Sequence, residues 1–213
     1  MNQVQNLKKL DALSYFDKNS LQQFMGLSDN SLYSNIKRWL KQGLIIKLKN
    51  GLYVTQNYWK GVNKKESYLE FVANKLREPS YLSLEYVLQI YGILSEAIYS
   101  FTSITLKGKN TYANKLGRFS YRNIKEPLFT GFIIHEKDGF QINMATKAKA
   151  LFDYLYFKFK PVVKITKEDF LSLRLNLEEF SKKDLEEFHR YIKTTNIKKY
   201  FCLTKLIGGL HDY

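Results

Sequence analysis

Two rhythms of apolar and polar positions run along this 213-residue chain, and the points where one gives way to the other mark its organisation. In residues 2–13, Val4, Leu7, Leu10 and Leu13 recur at the spacing of one buried helix face and predict a first helix. Leu21 and Phe24 face inward from a second, short helix, which Asn19 or Ser20 can cap and Gly26 can close in the left-handed conformation. Ser28 or Asp29 then caps a third helix with the apolar stripe Leu32, Ile36, Trp39 and Leu40, ended by Gly43. The other face of that helix carries Asn30, Ser31, Tyr33, Ser34, Lys37, Arg38 and Lys41. After it the period shortens. Residues 44–48 alternate weakly, Asn50-Gly51 is a strong hairpin signal, and residues 52–55 return. Lys47 and Lys49 flank the turn.

Beyond a connector at residues 57–63 the helical period resumes. Residues 64–77 place Tyr68, Leu69, Val72 and Leu76 on one face and stop before Pro79. Ser83 caps a helix over residues 84–91 that Gly92 closes. A strand-like texture follows: residues 99–106 are rich in β-branched and aromatic side chains, and Lys107-Gly108-Lys109 makes a basic turn. Residues 117–124 alternate with Phe119, Tyr121 and Ile124 inward, and residues 132–135 and 140–143 form a hairpin around Asp138-Gly139. These segments predict a small, mainly antiparallel sheet. Residues 145–159 are again helical, as are about 167–174, 181–194 and 196–208. The fold class is therefore α+β, with an N-terminal module over residues 1–59 and a mixed domain over 60–213 that ends in a helical tail from residue 161.

Short helix, glycine turn, amphipathic helix and basic hairpin, in that order, are the sequence form of a winged helix-turn-helix, a module that docks a helix in the DNA major groove. On that reading Asn30, Ser31, Tyr33, Ser34 and Lys37 approach base edges, and Arg38, Lys41, Lys47 and Lys49 hold phosphates. The plainer alternatives are a solvated helix face, or a winged helix used for protein contacts. Arg118, Ser120 and Arg122 share one face of a strand opposite Phe119 and Tyr121. With Lys107 and Lys109 they make a second basic group, suited to DNA flanking the module or to an acidic partner.

The formal net charge of +14 favours a polyanionic partner without naming one. Residues 1–59 hold 8 basic and 3 acidic side chains, residues 60–160 hold 16 and 9, and residues 161–213 hold 10 and 8. The excess thus fades in the tail, which is the segment least suited to DNA. Cys202 is the single cysteine, so no internal disulfide forms. No apolar run reaches membrane-spanning length and the N-terminus lacks a signal-peptide core, so a cytoplasmic protein without a membrane partner is expected.

Signatures of catalysis are weak. His135, His189 and His211 are far apart, and neither they nor Cys202 show metal-ligand spacing, so no cofactor or metal is expected. The carboxylate pairs Glu168-Asp169, Glu178-Glu179 and Glu186-Glu187 sit in lysine-rich helical stretches, where solvated pairing explains them better than a nuclease centre. The 16 Tyr and 15 Phe fall mostly at core spacing, as in Phe152, Tyr156 and Phe159, rather than as a base-stacking platform.

Four segments of the middle region follow the N-terminal module in a recognisable order. They are residues 81–94 (Tyr81-Leu-Ser-Leu-Glu-Tyr-Val-Leu-Gln-Ile-Tyr-Gly-Ile-Leu), residues 102–109 (Thr102-Ser-Ile-Thr-Leu-Lys-Gly-Lys), residues 117–125 (Gly117-Arg-Phe-Ser-Tyr-Arg-Asn-Ile-Lys) and residues 145–156 (Ala145-Thr-Lys-Ala-Lys-Ala-Leu-Phe-Asp-Tyr-Leu-Tyr). Together with the module they resemble the AbiEi family of antitoxins and transcriptional regulators, over about residues 15–160. The resemblance implies an N-terminal winged helix that binds operator repeats in double-stranded DNA and represses its own operon. It also implies a C-terminal domain that counteracts a nucleotidyltransferase-like toxin. The expected function is an autoregulating repressor of a toxin–antitoxin operon. The alternative is an antitoxin that acts by protein contact with little specific DNA binding. Operator repeats suit either a dimer or cooperative monomers.

Overall fold

The computed structural model describes residues 7–26 and 28–209; Val4 and His211 lie outside them. A 3-10 turn over Lys9–Ala12 buries Leu10, with Leu7 also buried just ahead of it, but Leu13 is exposed, because the chain turns extended there rather than continuing the helix. Strand β1 (Phe16–Asp17) follows, which periodicity did not signal because it is two residues long. Helix α1 (Lys18–Met25) is capped by Asp17, whose Oδ1 accepts the Ser20 backbone N–H at 2.6 Å, so neither Asn19 nor Ser20 is the cap. Leu21 is fully buried, whereas Phe24 is exposed instead of facing inward. Gly26 adopts φ +62° and turns the chain into helix α2 (Asp29–Lys41), with Ser28 at its N-cap.

Strands β2 (Ile45–Lys49) and β3 (Leu52–Thr55) form an antiparallel hairpin through Asn50-Gly51, with a register shift between Lys47 and Lys49. β1 adds to the other side of β3, giving a three-stranded antiparallel sheet in the order β1-β3-β2. The expected connector contains helix α3 (Gln56–Gly61), nucleated by Thr55, whose hydroxyl accepts the Tyr58 N–H. Helix α4 (Lys65–Leu76) matches its predicted span to within a residue.

A six-stranded sheet forms the second layer. It comprises β4 (Ser80–Leu82), β5 (Ser100–Thr105), β6 (Asn110–Asn114), β7 (Gly117–Asn123), β8 (Phe132–Lys137) and β9 (Phe140–Ala145), ordered β6-β7-β5-β4-β9-β8. Antiparallel pairings predominate, but β5 runs parallel to β7 and β4 parallel to β9. Two strands of this sheet were not announced by local pattern: β4, in the join to β9, is only three residues long, and the edge strand β6 is polar. Helix α5 (Leu84–Ile90) starts at Ser83, but the Ser83 hydroxyl is not a cap; it donates to Asp153. Helix α6 (Lys147–Lys158) follows β9, capped by Thr146.

The tail folds back onto this layer as α7 (Lys167–Leu171), α8 (Lys182–Thr195) and α9 (Phe201–Gly208). Capping boxes at Thr166/Asp169 and Ser181/Asp184 set where α7 and α8 begin. Phe170, Phe180, Phe188, Ile192, Tyr200, Leu203 and Ile207 are buried in the main core, so the tail is an integral part of it.

Two cores meet at the hairpin. Leu10, Phe16, Leu21, Leu32, Ile36 and Trp39 form an N-terminal core with Ile45 and Tyr53 from one face of the hairpin. Ile46, Leu48, Leu52 and Val54, from its other face, belong to the main core. Each such side chain contributes about 1.5–3 kcal/mol on burial, so detaching the hairpin from the main layer would cost several times that. Tyr68 Oη donates to the Ser14 carbonyl at 2.8 Å and ties α4 to the N-terminal segment as well.

Candidate nucleic-acid interface

Helix α2 is 13 residues long, about 20 Å, and divides cleanly into two faces. Leu32, Ile36 and Trp39 are buried beneath it. Asn30, Ser31, Tyr33, Ser34, Lys37, Arg38 and Lys41 are all exposed, Tyr33 to 70%. Asn30, Ser34, Lys37 and Lys41 follow one another at three- and four-residue steps along successive turns, so they form a single strip. Arg38 and Lys41 lie in the last turn, where the helix dipole favours cations, and Asp29 lies in the first turn, 3.3 Å from Lys18.

One residue of this helix was invisible to the periodic reading. Asn35 is buried on the inner side and donates from Nδ2 to the Ser31 carbonyl at 2.8 Å. Its Oδ1 accepts from Arg38 Nη2, so the guanidinium is braced by a buried amide. A polar residue within an apolar stripe was the available signal.

The hairpin departs from expectation in one cation. Lys47 is exposed, with Nζ 3.1 Å from Asn50 Oδ1, and remains placed to meet solvent or an anion. Lys49 instead turns inward and donates to the Leu76 carbonyl at 2.9 Å, capping the end of α4. That correction has a simple cause: Leu76 ends a helix with unsatisfied carbonyls, and the docked hairpin brings a lysine to them. On the outer side of β2, Asn114 Nδ2 donates to the Leu48 carbonyl at 2.9 Å, so β6 lies against the hairpin.

In the second basic group, extending the β6–β7 register one step past Asn110↔Tyr121 sets Lys109 opposite Arg122, while Arg118 lies further along β7. Arg118 and Arg122 are exposed on the face opposite buried Phe119 and Tyr121, with Ser120 between them, as the alternation predicted. They are four residues apart on one strand, about 13 Å. Lys107 and Lys109 are exposed in the β5–β6 turn, beside the Asn123 end of the ladder, where Asn123 Nδ2 bonds the Leu106 carbonyl. Arg122 lies 5.4 Å from the centre of the Phe157 ring and lines a cavity of about 320 Å³ together with Glu85 and Glu96. Asn114, which touches the hairpin, pairs with Gly117 and so projects on the Phe119 face, away from both arginines.

Charge inside the body is handled differently. Lys149 and Asp153, both fully buried, pair at 2.7 Å. Asp153 Oδ2 also accepts from Tyr81 Oη at 3.0 Å and Ser83 Oγ at 2.7 Å, and Lys149 Nζ donates to the Leu128 carbonyl at 2.8 Å. The ammonium rests near the rings of Phe152 and Tyr191. Burial pushes the Asp153 carboxyl up and the Lys149 ammonium down, while their mutual attraction opposes both shifts. Every charged atom has a protein partner, so this network clamps β4, α5 and α6 together. Gly131, at φ +77°, lies so close to Tyr191 that a Cβ there would collide with the phenol.

An open cleft of about 620 Å³ separates the N-terminal turn from the β8–β9 turn. Its carboxylates are already engaged, Asp11 with Asn57 and Asp138 with Ser67. Among the described residues no group of three or more His, Cys, Asp or Glu is placed to hold a metal ion, and no helix is long and apolar enough to cross a membrane. In comparisons with known proteins, no family model and no curated protein matches the chain.

Proposed function

We propose that residues 16–55 work as a winged helix-turn-helix that binds duplex DNA, and that the chain represses transcription, including that of its own toxin–antitoxin operon. The observation that carries this reading is the outer face of α2, where every hydrogen-bonding and cationic side chain assigned from sequence is exposed and contiguous. A helix of this diameter fits the major groove, and Asn, Ser, Tyr and Lys are types that bond base edges. Asn30, Ser31, Tyr33, Ser34 and Lys37 are the base-facing set. Arg38, Lys41 and Lys47 are the phosphate-facing set, with Lys49 removed from it. The operon context and a toxin partner rest on the AbiEi resemblance alone.

Binding of the full chain to its own upstream DNA and to a scrambled duplex, followed by anisotropy at two salt concentrations, tests the proposal. A salt-sensitive preference for the upstream DNA that disappears in the Lys37→Ala, Lys47→Ala double variant is the expected result. Equal, weak binding to both duplexes refutes it.

A second reading is favoured by one observation: the hairpin is buried on both faces, which leaves Lys47 and Asn50 as its outward polar groups. In that reading the module is a protein-contact surface of an antitoxin. A nucleotidyltransferase-like product of the adjacent reading frame that co-purifies with the chain, in a complex insensitive to Lys37→Ala, would support it.

A further inference from the structure

A sheet grows at its edges, and the six-stranded sheet has one at β6 and one at β8. The β6 edge is guarded. Asn110–Asn114 contains no large aliphatic residue, lysines at positions 107, 109 and 115 flank it, and the β2–β3 hairpin lies against it through the Asn114–Leu48 bond. These are devices that prevent edge-to-edge pairing. The β8 edge has fewer of them, its two charges, Glu136 and Lys137, being confined to its last two residues. Phe132–Lys137 contains no proline and no bulge, and it pairs with β9 in unbroken register from Phe132↔Ala145 to Lys137↔Phe140. Ile133 and Ile134 are 49% and 65% exposed, one on each face of the strand. Lys137, the one cation of the strand, is drawn to buried Glu70 at 3.1 Å. Among the described residues no backbone hydrogen bond from outside the β8–β9 ladder reaches residues 132–137.

We propose that β8 pairs antiparallel with β8 of a second copy of this chain, joining the two six-stranded sheets across a two-fold axis. A row of unpaired main-chain donors and acceptors calls for an extended strand as occupant. Two-fold symmetry requires one residue to face its own copy. With Ile134 on the axis, Ile133 faces the second His135 and Phe132 faces the second Glu136. No like charges then oppose each other, whereas most of a surface carrying +14 repels its copy. The strand is about 20 Å long, so the buried area falls below a standard interface and association is weak and concentration-dependent. The dimer displays two α2 helices, but it does not depend on their binding DNA.

Sedimentation equilibrium of the full chain without DNA tests this directly. The mass is expected to rise from monomer toward dimer with concentration. Ile134→Lys, which sets two ammonium groups against each other, is expected to move the midpoint about tenfold or more without changing the thermal melt. In a Cys202→Ser background, oxidised Ile134→Cys is expected to form a covalent dimer, because directly opposed Cβ atoms lie about 4.5–5.5 Å apart. Glu136→Cys, about 13 Å from its copy in this register, stays monomeric. A monomer at every concentration, a dimer indifferent to Ile134→Lys, or equal cross-linking at both positions overturns the proposal.

Discussion

Helices α2 and α6 are nearly equal in length, 13 and 12 residues, and both carry lysines, yet they direct charge in opposite senses. α6 turns Lys149 and Asp153 inward, where each finds a partner from another part of the chain. α2 turns Lys37 and Lys41 outward and buries only Asn35 among its polar residues. The difference separates structural charge from available charge. A saturated buried ion holds elements together; an exposed strip of polar side chains is open to an external partner.

Removing one member of the buried pair gives the largest effect. Asp153→Ala leaves Lys149 buried without a counter-ion and should destabilise the protein by about 3–5 kcal/mol in urea unfolding, with part regained in the Lys149→Met double variant. A loss below about 1 kcal/mol would erase the contrast between the helices. On α2 the order reverses. Ser34→Ala should leave stability within about 0.5 kcal/mol of wild type. On the proposed function it should cost about 1–3 kcal/mol of discrimination between upstream and scrambled duplexes.

The two hairpin lysines sharpen the comparison within a single turn. Lys49→Ala removes the bond to the Leu76 carbonyl and should lower stability by about 1–2 kcal/mol and, on the proposed function, have little effect on DNA affinity. Lys47→Ala should leave stability unchanged and, on the proposed function, reduce the slope of log DNA affinity against log salt by about 1. If the two exchange roles, the inward assignment of Lys49 is wrong.

The smallest effect is at the α1 cap. The Ser20 backbone N–H, bonded to Asp17, holds that carboxyl below its ordinary value of 3.8. A lowered carboxyl contributes stability above its unfolded value and loses it as pH falls through the folded one, so α1 should fray only in acid. Ser20 amide exchange measured against pH should show that loss in wild type, and Asp17→Asn should abolish it.

Much of this was legible locally. Helical spacing located α2, α4 and α6 through their apolar positions, although only α2 keeps its burial to one stripe; α6 is buried on six successive residues, Ala148 to Asp153. Asn50-Gly51 and Asp138-Gly139 announced their hairpins through residues that tolerate positive φ; Gly51 and both Asp138 and Gly139 adopt it. The outer face of α2 could be read for the same reason as its inner one, since both follow from a single period. Phe24 and Leu13 were misread as inward because spacing alone does not reveal where a helix runs out of neighbours. β1 and β4 escaped notice because two or three residues carry no measurable alternation.

By itself, then, the sequence determined the run of helices and hairpins, the polar face of α2 and the chain's excess of positive charge, all properties set by neighbours a few residues apart. Only the tertiary structure decided that Lys49 serves Leu76, that Asp153 gathers Tyr81 and Ser83, that Arg118 and Arg122 turn away from the hairpin, and that β8 is left as an open edge. Those outcomes depend on partners 27 to 72 positions away for the hydrogen bonds, and on strand order for the rest. A local pattern specifies which way a side chain points from its own element, but not what the fold brings to meet it.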